Sequence, residues 1–316
     1  MRMDPSVLRA LTTAMDCGIP PAMAAAVALA AHAPASAREA VAFVERIAPE
    51  LVALAERDPG IPTRLAELEP ELRLEPEVAR IRPDVRDHEL RGRLVFRDLV
   101  GKVSFFQMAA LAIGDVDLPP SDAELLEQLG INTQLADARI WPLAVVRRVA
   151  ARNGMTYGVL AGIAVALNPN MGARPVGGFI EALDRLEAGV AAGRSVSSQL
   201  EEWCARKERV PGVGRPVLGP DERNAQVIDL VKRHRREAGR SWTMATEVDA
   251  FFHSRKGQRV NSAGLQGAIM RDMGFSPTSA SAFCLLYFFV QILAQAVAAD
   301  ERLRPKAGNA GHGRAA

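Results

Sequence analysis

The stretch Val210-Pro-Gly-Val-Gly-Arg-Pro-Val-Leu-Gly-Pro-Asp221 contains three prolines and three glycines within twelve residues. Proline and glycine at this density interrupt helices and strands, so the stretch predicts a loop. The sequence around it is dominated by Ala, Leu, Glu and Arg, aromatic residues are only 5%, and strand-like alternation is scarce. Helices are therefore expected on both sides of the loop, and the one that follows it is predicted over Glu222–Ala238.

Two more loops of this kind lie before and after it. Asn168-Pro-Asn-Met-Gly-Ala173 ends a predicted helix over Tyr157–Leu167, and Arg259–Gly264 leads into a predicted helix over Asn261–Met273, with Gly274-Phe275 ten residues beyond Gly264. Further helices are predicted over Leu94–Ile113, Ala123–Leu129 (after a capping box in Pro119–Glu124), Trp141–Arg152, Gly177–Ala188, Thr243–His253 and Ser279–Ala299. An all-α fold is expected.

Composition and charge restrict the classes of function. The 316 residues are 48% hydrophobic and 24% charged, with 39 Lys+Arg against 37 Asp+Glu, which is typical of a globular chain. This near balance gives no electrostatic reason to expect nucleic acid or a membrane surface as a partner, and the basic run Lys232–Arg236 is interpreted as a solvated helix face. Cys17, Cys204 and Cys284 form no CxxC pair, which favours a reducing cytoplasm.

Two segments need separate interpretation. The uncharged stretch Met273–Ala299 is long enough to be weighed as a membrane span, but it begins with turn residues and carries Gln291 and Gln295, which favours a helix buried on all sides. Residues 1–84 are Ala-rich and end in a proline-punctuated region, so they are predicted to form a helical N-terminal extension. Their first residues carry no export signal.

The order and spacing of the three loops resemble those of the citrate synthase superfamily, most closely its citryl-CoA lyase-like branch. In that family the first loop is similar to G-P-x-H-G-G-A, the second to P-G-F-G-H-P followed by D-P-R, and the third to N-V-D-G before a helix that ends in L-G-F. The segment Asp98-Leu-Val-Gly-Lys-Val-Ser-Phe-Phe106 also looks like the family's ELIGKLSF segment. The resemblance covers about residues 85 to 303.

The resemblance implies an arrangement of domains. It predicts a large helical domain from residues 85–176 and 260–303, interrupted by a small helical domain at 177–259, with a flexible tail at 304–316. The ligand cleft of such a protein lies between the two domains. A homodimer packed through long helices is also implied.

The resemblance implies chemistry as well, and the sequence departs from it at the residues that carry that chemistry. In the family, a carboxylate removes a proton beside a thioester, and two histidines stabilise the enolate and polarise the acceptor ketone. A residue-by-residue alignment places Met171 and Arg215 at the histidine positions, Ala263 at the aspartate and Tyr287 at an arginine of the long helix. Alanine cannot accept a proton.

The remaining candidates are residues for binding. Substrate or coenzyme A contacts are predicted from the cations and the amide on these loops, namely Arg174, Arg215, Arg223, Lys256, Arg259 and Asn261. The expected ligand is a coenzyme A thioester, with a small carboxylate as a second one, and neither a permanently bound cofactor nor a metal is expected. Two hypotheses stay open: an acyltransferase or lyase with an altered active site, and a catalytically inactive paralogue that binds acyl-CoA or partners an active homologue.

Overall fold

The computed structural model describes residues 78–134, 141–168, 172–215 and 221–303. The chain divides into two units, Met1–Pro76 and Glu77–Ala316, and every described residue belongs to the second. Met171, the predicted tail at 304–316 and all but the last seven residues of the predicted N-terminal extension lie outside the described residues. The proposed division into large and small domains stays a prediction.

The described residues form a small antiparallel sheet followed by ten α-helices. The strands are β1 (Ala79–Arg82), β2 (Asp87–Leu90) and β3 (Arg93–Leu94), in that order across the sheet, and a short π-helix over Val95–Leu99 follows them. The helices are α1 (Phe105–Gly114), α2 (Pro120–Asn132), α3 (Trp141–Asn153), α4 (Met155–Ala166), α5 (Arg174–Ala191), α6 (Val196–Ala205), α7 (Asn224–Arg233), α8 (Arg240–Lys256), α9 (Ser262–Asp272) and α10 (Pro277–Leu303). The helical fold class is confirmed, and the sheet is an addition that the sequence did not indicate.

The predicted helix over Leu94–Ile113 is wrong as one continuous element. The backbone leaves the π-helix and turns at Gly101, whose φ is 75°, before α1 begins. Ser104 caps α1: its Oγ accepts a hydrogen bond from Gln107 N, and the Gln107 side chain accepts one from Ser104 N. This reciprocal capping box fixes the start of the helix after the turn.

The start of α2 and the presence of α6 also differ from expectation. The predicted capping box before α2 is wrong, because the N-cap is Pro119 and no side chain caps that helix. Instead, Pro120 occupies the first helical position, where its missing N–H costs nothing. Helix α6 was not predicted; it begins after Ser195, whose side chain accepts a hydrogen bond from Ser198 N.

Helix α5 lies at the centre of the core and is packed closely against α9 and α10. A Cβ on Gly177 would lie 2.2 Å from the carbonyl oxygen of Pro277, at the start of α10. A Cβ on Gly267 of α9 would lie 2.7 Å from the carbonyl oxygen of Val176. Glycine at both positions therefore lets the backbones touch, which brings the elements that carry the first and third predicted loops together.

Helix α10 is buried on one face. Phe283 and Ile292 are buried in the core, whereas Val290 and Val297 are exposed, so the expectation of burial on all sides is wrong. The stretch Pro277–Glu301 is long and apolar enough to cross a membrane, and 33% of its most apolar window is buried. Core helices of soluble proteins satisfy the same criterion, so length and composition alone do not make it a span.

Candidate functional site

The second and third predicted loops lie side by side and form what we call the loop junction, residues 211–215, 221–224 and 259–264. Gly214 N donates a hydrogen bond to the Arg259 carbonyl at 2.9 Å, and Asn261 N donates one to the Gly212 carbonyl at 2.8 Å. Between these bonds, Val213 and Val260 form an isolated antiparallel bridge. Two segments nearly fifty residues apart in sequence thus share one backbone ladder.

Two glycines make this close approach possible. Gly212 has a φ of 77°, and a Cβ on it would lie 2.7 Å from the Cα of Gly264. A Cβ on Gly264 would in turn lie 2.7 Å from the Gly212 carbonyl oxygen. A side chain at either position would force the loops apart, so the glycines are required by the contact itself.

Asn261 uses its whole side chain within the junction. Its Nδ2 donates to the Gly214 carbonyl at 2.6 Å, and its Oδ1 accepts from Ala263 N and Gly264 N at 3.0 and 3.2 Å. It is therefore the N-cap of α9 as well as a clamp on the second loop. Ala263, the second residue of α9, brings only a half-buried methyl group to the position where the resemblance implies an aspartate.

A second carboxamide, Asn224, joins the same two segments from the start of α7. Its Nδ2 donates to the Val260 carbonyl at 2.7 Å. Its Oδ1 is buried without a hydrogen-bond partner. Asn132 at the end of α2 donates through Nδ2 to the Arg223 carbonyl at 3.2 Å, which ties the junction to the core.

Asp221 is the carboxylate that links both loops, and its side chain is only 1% exposed. It accepts four hydrogen bonds: Oδ1 from Arg223 N and Nε, and Oδ2 from Arg223 Nη2 and Ser262 N. Burial acts to raise the pKa of Asp221, but the hydrogen bonds from Arg223 and Ser262 N and the positive charge of Arg223 outweigh it and lower that pKa. A carboxylate that accepts four hydrogen bonds and has a lowered pKa is a weak base, and its bonds hold the two loops together.

The other predicted cations of the junction are also paired with carboxylates. Arg215 Nη1 lies 3.7 Å from Asp221 Oδ1 and donates to Glu222 Oε2, which raises the pKa of Arg215. Arg259 Nη2 lies 2.7 Å from Asp249 Oδ2, and Val260 N donates to the same carboxylate at 2.8 Å. Of the six predicted binding residues, the structure brings four together, namely Arg215, Arg223, Arg259 and Asn261.

Arg174 and Lys256 stand apart from that group. Both are exposed, and within the described ranges no ion pair holds either of them. Arg174 begins α5, directly after the first predicted loop, while Lys256 ends α8 with its Nζ 5.7 Å from the ring centroid of Phe252. In the same part of the chain, no three His, Cys, Asp or Glu side chains are placed to hold a metal ion.

Tyr287 of α10, where the resemblance implies an arginine, belongs to the hydrophobic core. It is 3% exposed, its hydroxyl donates to the Leu126 carbonyl at 2.9 Å, and burial raises its pKa well above the ordinary value. Its ring packs on Phe106 and Phe283, and a Cβ on Gly130 would lie 2.6 Å from that ring. Tyr287 is thus part of an aromatic cluster in the core.

A search of solved structures finds proteins that share this architecture. Citryl-CoA lyase from Hydrogenobacter thermophilus matches with a TM-score of 0.64 and 20% identity over 77% of this chain and 93% of that one. ATP citrate lyase from Methanosaeta concilii in complex with (3S)-citryl-CoA matches with a TM-score of 0.58 and 14% identity, over 73% of this chain and 39% of that one.

The chain has a citrate synthase-like fold. Citrate synthase from Thermoplasma acidophilum, in a ternary complex with carboxymethyl coenzyme A and oxaloacetate, also matches, with a TM-score of 0.50 and 15% identity over 64% of this chain and 54% of that one. No model of a known protein family matches the sequence, and no curated protein matches it. The fold that the resemblance of the three loops predicted is confirmed.

Proposed function

We propose that this citrate synthase-like protein binds an acyl-CoA but does not remove a proton from it. One observation carries the proposal: the loop junction is intact as a scaffold, yet Ala263 brings only a methyl group and Asp221 is saturated by Arg223 and Ser262 N. General acid–base groups each contribute about 10²- to 10⁴-fold to a rate, so their loss leaves little citrate-type catalysis. In this proposal, binding of the acyl-CoA does not require those acid–base groups.

Coenzyme A as the ligand is supported by the neighbours in fold and by the exposed cations. One of those neighbours is described with citryl-CoA and another with carboxymethyl coenzyme A. Arg174 and Lys256 are exposed with no ion pair among the described residues, so their charges remain accessible to phosphates. Arg215, held at the junction by Glu222, is the proposed contact for a small carboxylate.

We propose that the protein partner is a second copy of this chain or an active homologue. The proposed location is the cytoplasm, and neither nucleic acid nor a membrane is a proposed partner. Helix α4 exposes Met155, Tyr157 and Leu160, and α10 exposes Val290 and Val297. Exposed apolar residues on packed helices are typical of protein interfaces. The chain then acts as a regulatory or structural subunit that holds acyl-CoA.

Calorimetric titration with coenzyme A and acetyl-CoA tests the binding claim. We expect Arg174→Ala and Lys256→Ala each to weaken binding about three- to tenfold at low salt. The effect is modest because water and salt weaken the attraction between an exposed cation and a phosphate. Lys232→Ala, which removes an exposed cation from α7, is the matched control and should leave the affinity unchanged. No binding of either ligand at saturating concentration would refute the proposal.

A second candidate is an enzyme with altered chemistry, and Arg215 favours it. Its guanidinium is permanently charged, retained at the junction and partly accessible, so it suits a more anionic acceptor than a histidine would. Release of free thiol from acetyl-CoA with oxaloacetate would support this candidate. Recovery of condensation in the combined variant Ala263→Asp, Arg215→His, Met171→His, with none in the unaltered chain, would support the binding protein instead.

A further inference from the structure

An open apolar groove lies between the sheet and the start of α1, and none of its lining residues belongs to the loop junction. This sheet groove has a volume of about 560 Å³ and is lined by β1, β2, the π-helix and the segment up to Met108. Three large side chains on its wall and rim are unusually exposed: Ile81 by 69%, Val100 by 63% and Phe105 by 62%. Exposed apolar patches rimmed by polar residues are typical of binding surfaces.

Strand β1 is the edge of the sheet beside this groove. The order of the strands is β1-β2-β3, and Arg91 N donates to the Val78 carbonyl at 2.9 Å, so every second residue from Val78 directs its backbone toward β2. The backbone groups of Ala79 and Ile81 therefore point outward. Within the described part of the chain, no hydrogen bond reaches them. An edge strand with an exposed isoleucine is a template for another strand.

The two faces of β1 differ in chemistry. Arg80 and Arg82 lie on one face and share the carboxylate of Glu89, so two guanidinium groups meet one acid of the sheet, and Asp84 supplies a second acid to Arg82 alone. Ile81 lies on the other face, and it lines the groove, as do Arg80 and Glu89. A strand added at this edge would place alternate side chains against arginines and against apolar surface.

We propose that the outer edge of β1 and the sheet groove bind an extended segment of a partner protein in which acidic and apolar residues alternate. The backbone of that segment pairs with Ala79 and Ile81, its acidic side chains face Arg80 and Arg82, and its apolar side chains enter the groove. A second copy of this chain fits poorly at this edge, because antiparallel pairing of two β1 strands places arginines against arginines.

The probe is a short synthetic peptide that alternates glutamate and leucine, carries a fluorescent label, and is titrated against the full chain by anisotropy. Ile81→Pro removes an outward N–H from β1 and is expected to weaken binding about tenfold or more, the equivalent of about 1.4 kcal/mol. Arg82→Glu is expected to weaken binding by a similar factor at low salt. Ile131→Glu changes an equally exposed apolar residue on α2 and is the control, with unchanged affinity expected.

Two further measurements separate strand addition from simple apolar adhesion. A peptide of the same composition with its glutamates and leucines in separate blocks should bind at least about tenfold more weakly, because its side chains cannot sort onto two faces. Slower amide hydrogen exchange at Ala79 and Ile81 in the complex is expected from backbone pairing. Equal binding of both peptides, equal weakening by Ile131→Glu, or no binding would overturn the proposal. So would a dimer that Ile81→Pro dissociates, since the occupant would then be a second copy.

Discussion

The loop junction and the sheet groove differ in how far their side chains are occupied by contacts within the chain. At the junction the side chain of Asp221 bonds Arg223 and Ser262 N, and that of Asn261 bonds Gly214 O, whereas the buried Oδ1 of Asn224 has no hydrogen-bond partner. At the groove Ile81 and Phe105 expose apolar surface that nothing in the described part of the chain covers. The difference shows that, among the described residues, the loop junction is held closed by its own hydrogen bonds, whereas the sheet groove leaves apolar surface exposed.

The largest effect that the comparison predicts is for Asp221→Ala. Removing the buried acceptor leaves Arg223 and Ser262 N without their partner, and we expect the free energy of unfolding to fall by about 3–5 kcal/mol. Urea denaturation of both chains measures this loss of stability. The control, Asp229→Ala, breaks an exposed pair with Arg233 and should cost less than about 1 kcal/mol. Equal losses in the two variants would mean that the junction is not a structural clamp.

The next effect distinguishes the energetic cost of steric overlap from the cost of a left-handed backbone conformation. Gly212→Ala should lower the free energy of unfolding by about 2–4 kcal/mol, from a left-handed conformation and from overlap with Gly264. Gly193 has a similar φ of 81°, but a Cβ there meets nothing within 4 Å, so Gly193→Ala should cost about 1 kcal/mol. Chemical denaturation of both variants checks this. A cost for Gly193→Ala as large as that for Gly212→Ala would contradict the account.

A smaller effect follows from the lowered pKa of Asp221. A carboxyl whose pKa is lower in the folded state stabilises the fold above its ordinary pKa of about 3.9, and that stabilisation is lost as the pH falls through the folded value. The difference in free energy of unfolding between the unaltered chain and Asp221→Ala should therefore shrink in acid. Denaturation curves at neutral and acidic pH measure it, and a difference that stays constant would refute the pKa argument.

The smallest effect is expected at the groove, where two neighbouring phenylalanines give a matched pair. Phe105 is 62% exposed, so Phe105→Ser should change the free energy of unfolding by less than about 0.5 kcal/mol. Phe106 packs on Phe283 and Tyr287, and Phe106→Ser should cost about 3 kcal/mol or more. Thermal unfolding of both compares them. A large cost for Phe105→Ser would mean that the groove is part of the core.

Much of the fold could be predicted from the sequence, because glycine and proline mark its loops and apolar periodicity marks its helices. The turn between Leu99 and Phe105 was missed because it is short and is marked by a single glycine, Gly101, without a proline. The pairing of the junction was missed because it depends on tertiary contacts. Nothing in the sequence around Arg259 shows that Asp249 binds it, and the Asp221–Ser262 bond joins residues 41 positions apart.

Exchange of the acetyl-CoA methyl protons reports whether the protein removes a proton beside the thioester. The purified full chain is incubated with acetyl-CoA in deuterated water, with and without oxaloacetate, and the methyl signal is followed by NMR. We expect exchange no faster than in buffer, because Ala263 cannot accept a proton and Asp221 already accepts four hydrogen bonds. Exchange that depends on the protein would show that another of its groups takes the proton, and the proposal that it only binds acyl-CoA would be wrong.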